Sequence, residues 1–245
     1  MNLQANLEQL QQLKLDGMAH AYAATIQLPS QQHPTAHDFI ALLTEAEKAH
    51  RQNKKSQLYL ALSKLRFDAV LQEVSTNTDR NFSDQQLQTL ASCNFIQQAQ
   101  NILITGATGC GKSFLACAIG RHACQFGYKT LYLNMNKFIE KIATAKLDGT
   151  YAKTLAQIEK IHLLILDDFG LQPLDQNMRL ALFQILEDRY AKKPVIIASQ
   201  LPVAQWHQYL NDPTLADAIL DRLTANANRV ELTGKSMRQI NQFIH

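Results

Sequence analysis

Gly106-Ala107-Thr108-Gly109-Cys110-Gly111-Lys112-Ser113 matches the phosphate-loop pattern G-x-x-x-x-G-K-[ST] at every fixed position. Its surroundings suit the pattern. Asn101-Ile102-Leu103-Ile104-Thr105 before it has the composition of a buried strand, and residues 114–126 after it carry helical periodicity up to Gly127. A strand, a glycine turn and a helix start together make an anion site. The glycines let backbone N–H groups turn inward onto phosphate oxygens, and the helix N-terminus adds its dipole. The stretch therefore implies a nucleoside triphosphate site, formed by Gly106, Ala107, Thr108, Gly109, Cys110, Gly111, Lys112, Ser113 and Phe114. Lys112 is placed to reach the β- and γ-phosphates, and the Ser113 hydroxyl to ligate Mg²⁺.

The acids that such a site needs lie downstream. Leu163-Leu164-Ile165-Leu166-Asp167-Asp168 is an aliphatic run ending in two carboxylates, a Walker B pattern. On a strand next to that of the phosphate loop, Asp167 would hold Mg²⁺, directly or through water. Asp168 would point elsewhere and orient or polarise the attacking water. The strand Val195-Ile196-Ile197-Ala198-Ser199 ends in a hydroxyl that either senses the γ-phosphate or satisfies a local turn. Arg222, in Asp217-Ala218-Ile219-Leu220-Asp221-Arg222-Leu223, has two readings. It enters the site of a neighbouring subunit in a ring or filament, or it pairs with Asp217, Asp221 or Asp188. Arg238, in Gly234-Lys235-Ser236-Met237-Arg238, is a candidate to approach the nucleotide in cis.

At 245 residues the chain has room for one nucleotide-binding domain of ordinary size and a smaller module. A hydrophobic share of 46% supplies a core. The net charge of +3 permits nucleic-acid binding without arguing for it, so local charge placement decides. Met1-Asn2-Leu3-Gln4 has neither a basic n-region nor an apolar h-region, and no apolar run approaches the roughly 20 residues of a membrane span. A cytoplasmic chain without a membrane partner is expected. Cys93, Cys110, Cys117 and Cys124 form no C-x-x-C pair, which speaks against zinc. Cys117 and Cys124, two turns apart on one helix, suit apolar packing. Cys110, beside Lys112, is either oxidisable or a tolerated variable position of the motif.

Along the chain, residues 1–28 predict helix, with Leu3, Leu7 and Leu10 on one stripe, an interruption at Gly17, and Met18, Tyr22 and Ile26 resuming. Residues 29–34 form a polar connector. Asp38 predicts the N-cap of a long helix reaching about Leu65. Within it, residues 50–66 hold Arg51, Lys54, Lys55, Lys64 and Arg66 and no acid, either a solvated face or a surface that contacts phosphate or a partner. Residues 67–100 are polar and Gln-rich with one short helix at 83–91. Strands follow at 130–134, 163–166, 195–199 and 229–232. Between them lie helices at 137–145, 151–158, 180–190 and 213–223, and the tail from Ser236 is helical. Alternation of this kind predicts a parallel sheet covered on both faces, with ligands at the carboxyl ends of its strands.

On these residues the chain resembles the IstB-like ATP-binding proteins, helpers of insertion-sequence transposition within the DnaC-like branch of AAA+ ATPases. The resemblance covers almost the whole chain. Besides the generic phosphate loop, it rests on Leu13-Lys14-Leu15-Asp16-Gly17-Met18-Ala19, on residues 163–170, on Ser199-Gln200-Leu201-Pro202, on residues 212–223 and on residues 234–238. It implies an α/β P-loop NTPase (AAA+) fold, a three-layer core with a parallel sheet and without the usual helical lid, preceded by a small all-α N-terminal domain. The expected division is 1–70 for the helical domain, 71–100 for a bridge and 101–245 for the ATPase domain. The resemblance further implies ATP and ADP as ligands, Mg²⁺, ATP-dependent self-assembly on duplex DNA with little sequence preference, and stimulation of a cognate transposase. Lys112, Ser113, Asp167, Asp168 and Ser199 fall on the family's catalytic positions, and Arg222 on its arginine finger. Ala107 stands where many relatives have proline, and Cys110 and Phe114 are unusual choices.

In the DnaC-like branch an insertion after the second strand carries DNA contacts. Here it contains Lys137, Lys141, Lys146, Tyr151 and Lys153, which would neutralise backbone phosphates. The alternative is a pair of solvated helices. Two other functions compete: a DnaC-like helicase loader in DNA replication, and a small-molecule kinase. The kinase needs an arginine-rich lid, and between Asp168 and Tyr190 only Arg179 and Arg189 occur.

Overall fold

A computed structural model describes residues 3–234, 236 and 237, and it divides between Leu58 and Tyr59 into two units. In the first unit the leucine stripe becomes α1 (Leu3–Gln12), and α2 follows (Asp16–Ile26). The break between them falls at residues 13–15, with Lys14 at φ +58°, and not at Gly17, which lies in the first turn of α2. Gly17 serves packing. A Cβ there would stand 2.6 Å from the Ala46 carbonyl oxygen and 2.7 Å from the Glu47 Cα, so only glycine lets the two backbones approach this closely. The buried Glu47 carboxylate then accepts the amides of Gly17 at 2.9 Å and Met18 at 3.2 Å, capping α2 from outside its own sequence. The long helix is α3 (Ala36–Ser63). Its cap is Thr35, whose hydroxyl accepts from the Asp38 amide at 3.3 Å and donates to the Asp38 carboxylate at 2.6 Å. Asp38 itself lies inside the first turn, where a carboxylate favours the helix dipole.

In the second unit, which opens on the last turn of α3, come α4 (Asp84–Ala91), fixed by a capping box between Ser83 and Gln86, and the one-turn α5 (Asn94–Gln97). The alternating core follows: β1 (Asn101–Gly106), α6 (Lys112–Gln125), β2 (Thr130–Asn134), α7 (Met135–Leu147), α8 (Tyr151–Glu159), β3 (Leu163–Phe169), α9 (Gln176–Arg189), β4 (Val195–Ser199), α10 (Trp206–Leu210), α11 (Pro213–Thr224) and β5 (Ala227–Leu232). The strands form one parallel sheet in the order β2-β3-β4-β1-β5. β4 thus inserts between β1 and β3, and the Walker B strand is one place further from the phosphate loop than the sequence predicts.

Aliphatic runs explain the layers. Ile102 and Ile104 of β1, Leu163 and Ile165 of β3, and Ile196 and Ala198 of β4 pack on one face with α6 and α4. Leu103, Leu164, Leu166, Val195 and Ile197 pack on the other with α7, α8, α9 and α11. A strand buried on both faces needs no polar alternation, which is why these runs are continuous. From the stretch 67–100, Ala69, Leu71, Phe82, Leu90, Phe95 and Ile96 all enter the first layer.

At the amino ends of the strands two polar side chains pin the sheet. Asn101 accepts the Val195 amide at 2.9 Å and donates to the Arg222 carbonyl at 2.8 Å. The buried guanidinium of Arg189 collects the carbonyls of Ile158, Ile161, His162 and Pro194 at 2.8–3.2 Å. Burial lowers its pKa to about 10, so it is charged at neutral pH. Among the described residues, no helix is long and apolar enough to cross a membrane.

Candidate functional site

The phosphate loop leaves the carboxyl end of β1 and runs into α6. Gly106, Gly109 and Gly111 have φ of +145°, +84° and +93°, a region that residues with a Cβ rarely adopt. A Cβ on Gly106 would collide with the Leu232 carbonyl oxygen at the end of β5. The motif's glycines are thus spent on a turn tight enough to lie against the neighbouring strand. Lys112 is buried, and its ammonium donates to the carbonyls of Gly106 at 2.9 Å and Ala107 at 2.8 Å. Cys110 is buried too, its Sγ 3.9 Å from Lys112 Nζ, so the thiol faces inward. Cys117 and Cys124 pack in the interior, and burial raises both thiols.

A cavity of about 560 Å³ opens above the loop. Thr108, Gly109, Gly111, Lys112, Ser113 and Phe114 line it, and from β3 comes Asp168. Asp167 lies just beneath, 1% exposed, its Oδ2 accepting from the Tyr132 hydroxyl at 2.6 Å and its Oδ1 from the Asp168 amide at 2.8 Å. Two donors orient the carboxylate and leave lone pairs on both oxygens. Ser113 and Asp167 are hard oxygen donors of the kind that hold Mg²⁺, which takes one or two carboxylates and completes its shell with phosphate and water. The glycine cradle, the ammonium and the oriented acid all fit a magnesium nucleotide.

Two sequence candidates are placed differently from the simplest expectation. Ser199 is fully buried; its hydroxyl donates to the Phe169 carbonyl at 2.6 Å and accepts from the Leu201 amide at 3.0 Å. Of its two readings, the local turn describes it. Gln200, one residue on, lines the cavity and accepts from the Thr108 hydroxyl at 2.7 Å. Arg222 is at the other end of the sheet, close to the starts of β1 and β4. Its guanidinium pairs with Glu187, which the sequence did not single out, and stands 3.6 Å from Asp221. Arg238 lies outside the described residues.

The rest of the cavity wall comes from a stretch without any motif. Phe67, Val74 and Phe82, with Leu232 and Met237, form an apolar side suited to a flat heteroaromatic ring. Arg66 and Arg80 flank it. Arg80 donates to the Cys110 carbonyl of the phosphate loop and accepts the Thr233 amide on its own carbonyl at 3.0 Å. Met237 donates its amide to the Gly109 carbonyl at 3.0 Å, so the chain after β5 crosses the loop. The one signal for any of these residues was the acid-free basic run ending at Arg66.

The basic insertion is split by its fold. Lys137 and Lys141 on α7 line a cleft of about 690 Å³ with Lys64 and the start of α8, and Lys137 also pairs with Glu140 at 2.8 Å. Lys146 and Tyr151 turn towards α9: Lys146 donates to Asn177 at 3.0 Å and lies 5.2 Å from the Tyr151 ring, whose hydroxyl bonds Gln184 at 3.3 Å. Lys153 is exposed on α8.

A family model described as IstB-like ATP binding protein matches residues 8–243. The chain belongs to that family. A putative insertion sequence ATP-binding protein of Sinorhizobium fredii is 40% identical to it over 236 residues, covering 96% of this chain and 95% of the relative. The insertion sequence IS1162 putative ATP-binding protein of Pseudomonas fluorescens is 37% identical over 203 residues, covering 82% and 88%. Among solved structures, DnaI matches with a TM-score of 0.58 at 21% identity, over 72% of this chain and 94% of that one. The DnaC helicase loader matches with 0.55 at 18%, over 69% and 99%. AMPPCP-bound DnaA from Aquifex aeolicus matches with 0.60 at 21%, over 74% of this chain and 57% of that one. At these identities the structural likeness is one of fold, the AAA+ P-loop core. This IstB-like chain is therefore an ATP-binding P-loop protein.

Proposed function

We propose that this chain is a Mg²⁺-dependent ATPase that assembles with copies of itself on duplex DNA and serves the transposase of an insertion sequence. The observation that carries the ATPase part is the meeting of Lys112, Ser113 and Asp168 at one cavity, with Asp167 directly below. In this reading the loop amides and Lys112 bind the phosphates, the apolar side takes the adenine, Asp167 and Ser113 hold Mg²⁺, and Asp168 orients water. Mg²⁺, when bound, would neutralise charge developing on the β- and γ-phosphate oxygens.

Arg222 supports self-assembly. β1 alone separates the two ends of the sheet by about 17 Å, so an arginine beside Asn101 does not serve the loop of its own chain. In a ring or filament its guanidinium would leave Glu187 and enter the neighbour's site. The exposed lysines of α7 and α8 support contact with DNA phosphates, and the family's insertion-sequence relatives support a transposase as partner.

Sedimentation velocity with labelled random-sequence duplex DNA tests the reading in ATP, in ADP and without nucleotide. A large complex only in ATP, dissolving at high salt, is expected. A chain that ignores duplex DNA under all three conditions would overturn the DNA part and favour a protein-directed loader, to be checked by pull-down against helicase and transposase. Arg222→Ala is expected to bind nucleotide normally and lose turnover and assembly; normal turnover would remove the trans role.

A further inference from the structure

Two arginines outside every motif line the nucleotide cavity, and they are used differently. Arg80 is tied to the loop backbone, as described. Arg66 stands at the acid end. Its Nη1 is 3.6 Å from Asp168 Oδ2, and the Tyr132 hydroxyl lies on the same side of the site. That hydroxyl donates to Asp167 at 2.6 Å. The guanidinium is therefore paired with Asp168, while Asp167 is held separately by Tyr132.

The backbone is bent to make this connection. Asp168 has φ +61°, a left-handed conformation uncommon for a residue with a side chain, and the β3–β4 register slips between Leu166 and Phe169. A regular strand would send the side chains of Asp167 and Asp168 to opposite faces; the bulge re-aims the second one.

The ion pair is also one that is easily exchanged. The side chains of Arg66 and Asp168 are 44% and 31% exposed, and a pair this wet contributes little. A terminal phosphate offers a guanidinium a bidentate, more highly charged partner than a solvated carboxylate. A diphosphate offers none at that position.

We propose that Arg66 is the residue by which this site distinguishes a triphosphate from a diphosphate. With a diphosphate it stays on Asp168. With a triphosphate it moves from Asp168 to the terminal phosphate. The inference rests on the ATPase reading above and assigns a role within it to a residue that precedes both motifs.

The test is equilibrium titration of the full chain, with Mg²⁺, against fluorescent ADP and a fluorescent non-hydrolysable ATP analogue. Arg66→Ala should weaken the triphosphate about tenfold and leave the diphosphate within about twofold. Arg66→Lys should recover part of the discrimination, since it restores the charge without the planar fork. Equal weakening of both nucleotides, or no weakening, would overturn the proposal. If Arg66→Ala does not fold, Arg66→Lys decides alone: a reduced triphosphate preference upholds the role, and an unchanged one overturns it. Lys112→Ala separates this from the parent reading. If that variant still binds both nucleotides, the site itself is misassigned; if it loses both while Arg66→Ala keeps the wild-type ratio, only the sensing role falls.

Discussion

The phosphate loop and the stretch 66–82 line the same cavity, yet they are made in different ways. The loop is nine consecutive residues in which backbone geometry does the binding, so glycines at set intervals and a lysine at a set offset are required by the chemistry itself. The other wall is a series of turns from which Arg66, Phe67, Val74, Arg80 and Phe82 reach the cavity at irregular spacing. Any apolar surface of the right shape can hold a flat ring, and any cation near the acids can reach them. The difference teaches that phosphate binding constrains local sequence, while base contact and acid positioning constrain only the final packing.

The comparison breaks most sharply at Lys112. Lys112→Ala should weaken ATP-analogue binding by about 100-fold or more, the loss of a charge-assisted phosphate contact inside a cradle built for it. Near-normal affinity in a fluorescence titration would mean that the second wall alone suffices. Asp167→Asn should bind nucleotide with little change but hydrolyse it about 100-fold more slowly, in keeping with loss of one preorganised electrostatic group. A steady-state phosphate-release assay beside the titration separates the two effects. Phe67→Ala, on the second wall, should cost about 1 kcal/mol of binding, roughly fivefold in Kd for ATP and ADP alike. If it affects only the triphosphate, the apolar side is not where the base sits.

Glu47→Gln is the control from outside both walls, with no change expected in nucleotide affinity. The Arg51 hydrogen bond, and then the amides of Met18 and Gly17, hold the Glu47 carboxyl below the usual glutamate range. A group depressed on folding contributes stability that is present above its unfolded pKa and is lost as pH falls through the folded one. The wild-type melting temperature should therefore drop below about pH 4, and the glutamine variant should show a flatter acid limb in a pH series of thermal melts.

The strands were legible as short apolar runs: 130–134 and 195–199 coincide with β2 and β4 to the residue, and β4, buried along its whole length, needs no polar alternation. Gly17 was visible but misread, since a glycine in a helical stripe signals a break as readily as a close approach to another backbone. Glu47, which makes that approach useful, is thirty residues away. Ser199 shows the same limit at the site. The strand pattern placed Ser199 at the carboxyl end of β4, but the bulge in β3, which puts the Phe169 carbonyl within reach of its hydroxyl, is not written in the residues around it. Strand order was equally out of reach, since chain succession leaves open which strand is inserted beside β1.

The sequence by itself determined the phosphate loop, the tandem acids, the parallel alternation and the family, because each depends on contacts between near neighbours in the chain or on a run of one residue type. The tertiary structure alone decided that β4 lies between the loop strand and the acids, that Arg222 is paired with Glu187 at the far end of the sheet, and that Arg66 pairs with Asp168 while Tyr132 holds Asp167. These are contacts between segments far apart in the chain. Their partners are selected by which surfaces the packed core brings within hydrogen-bonding distance, and no local spacing records that selection.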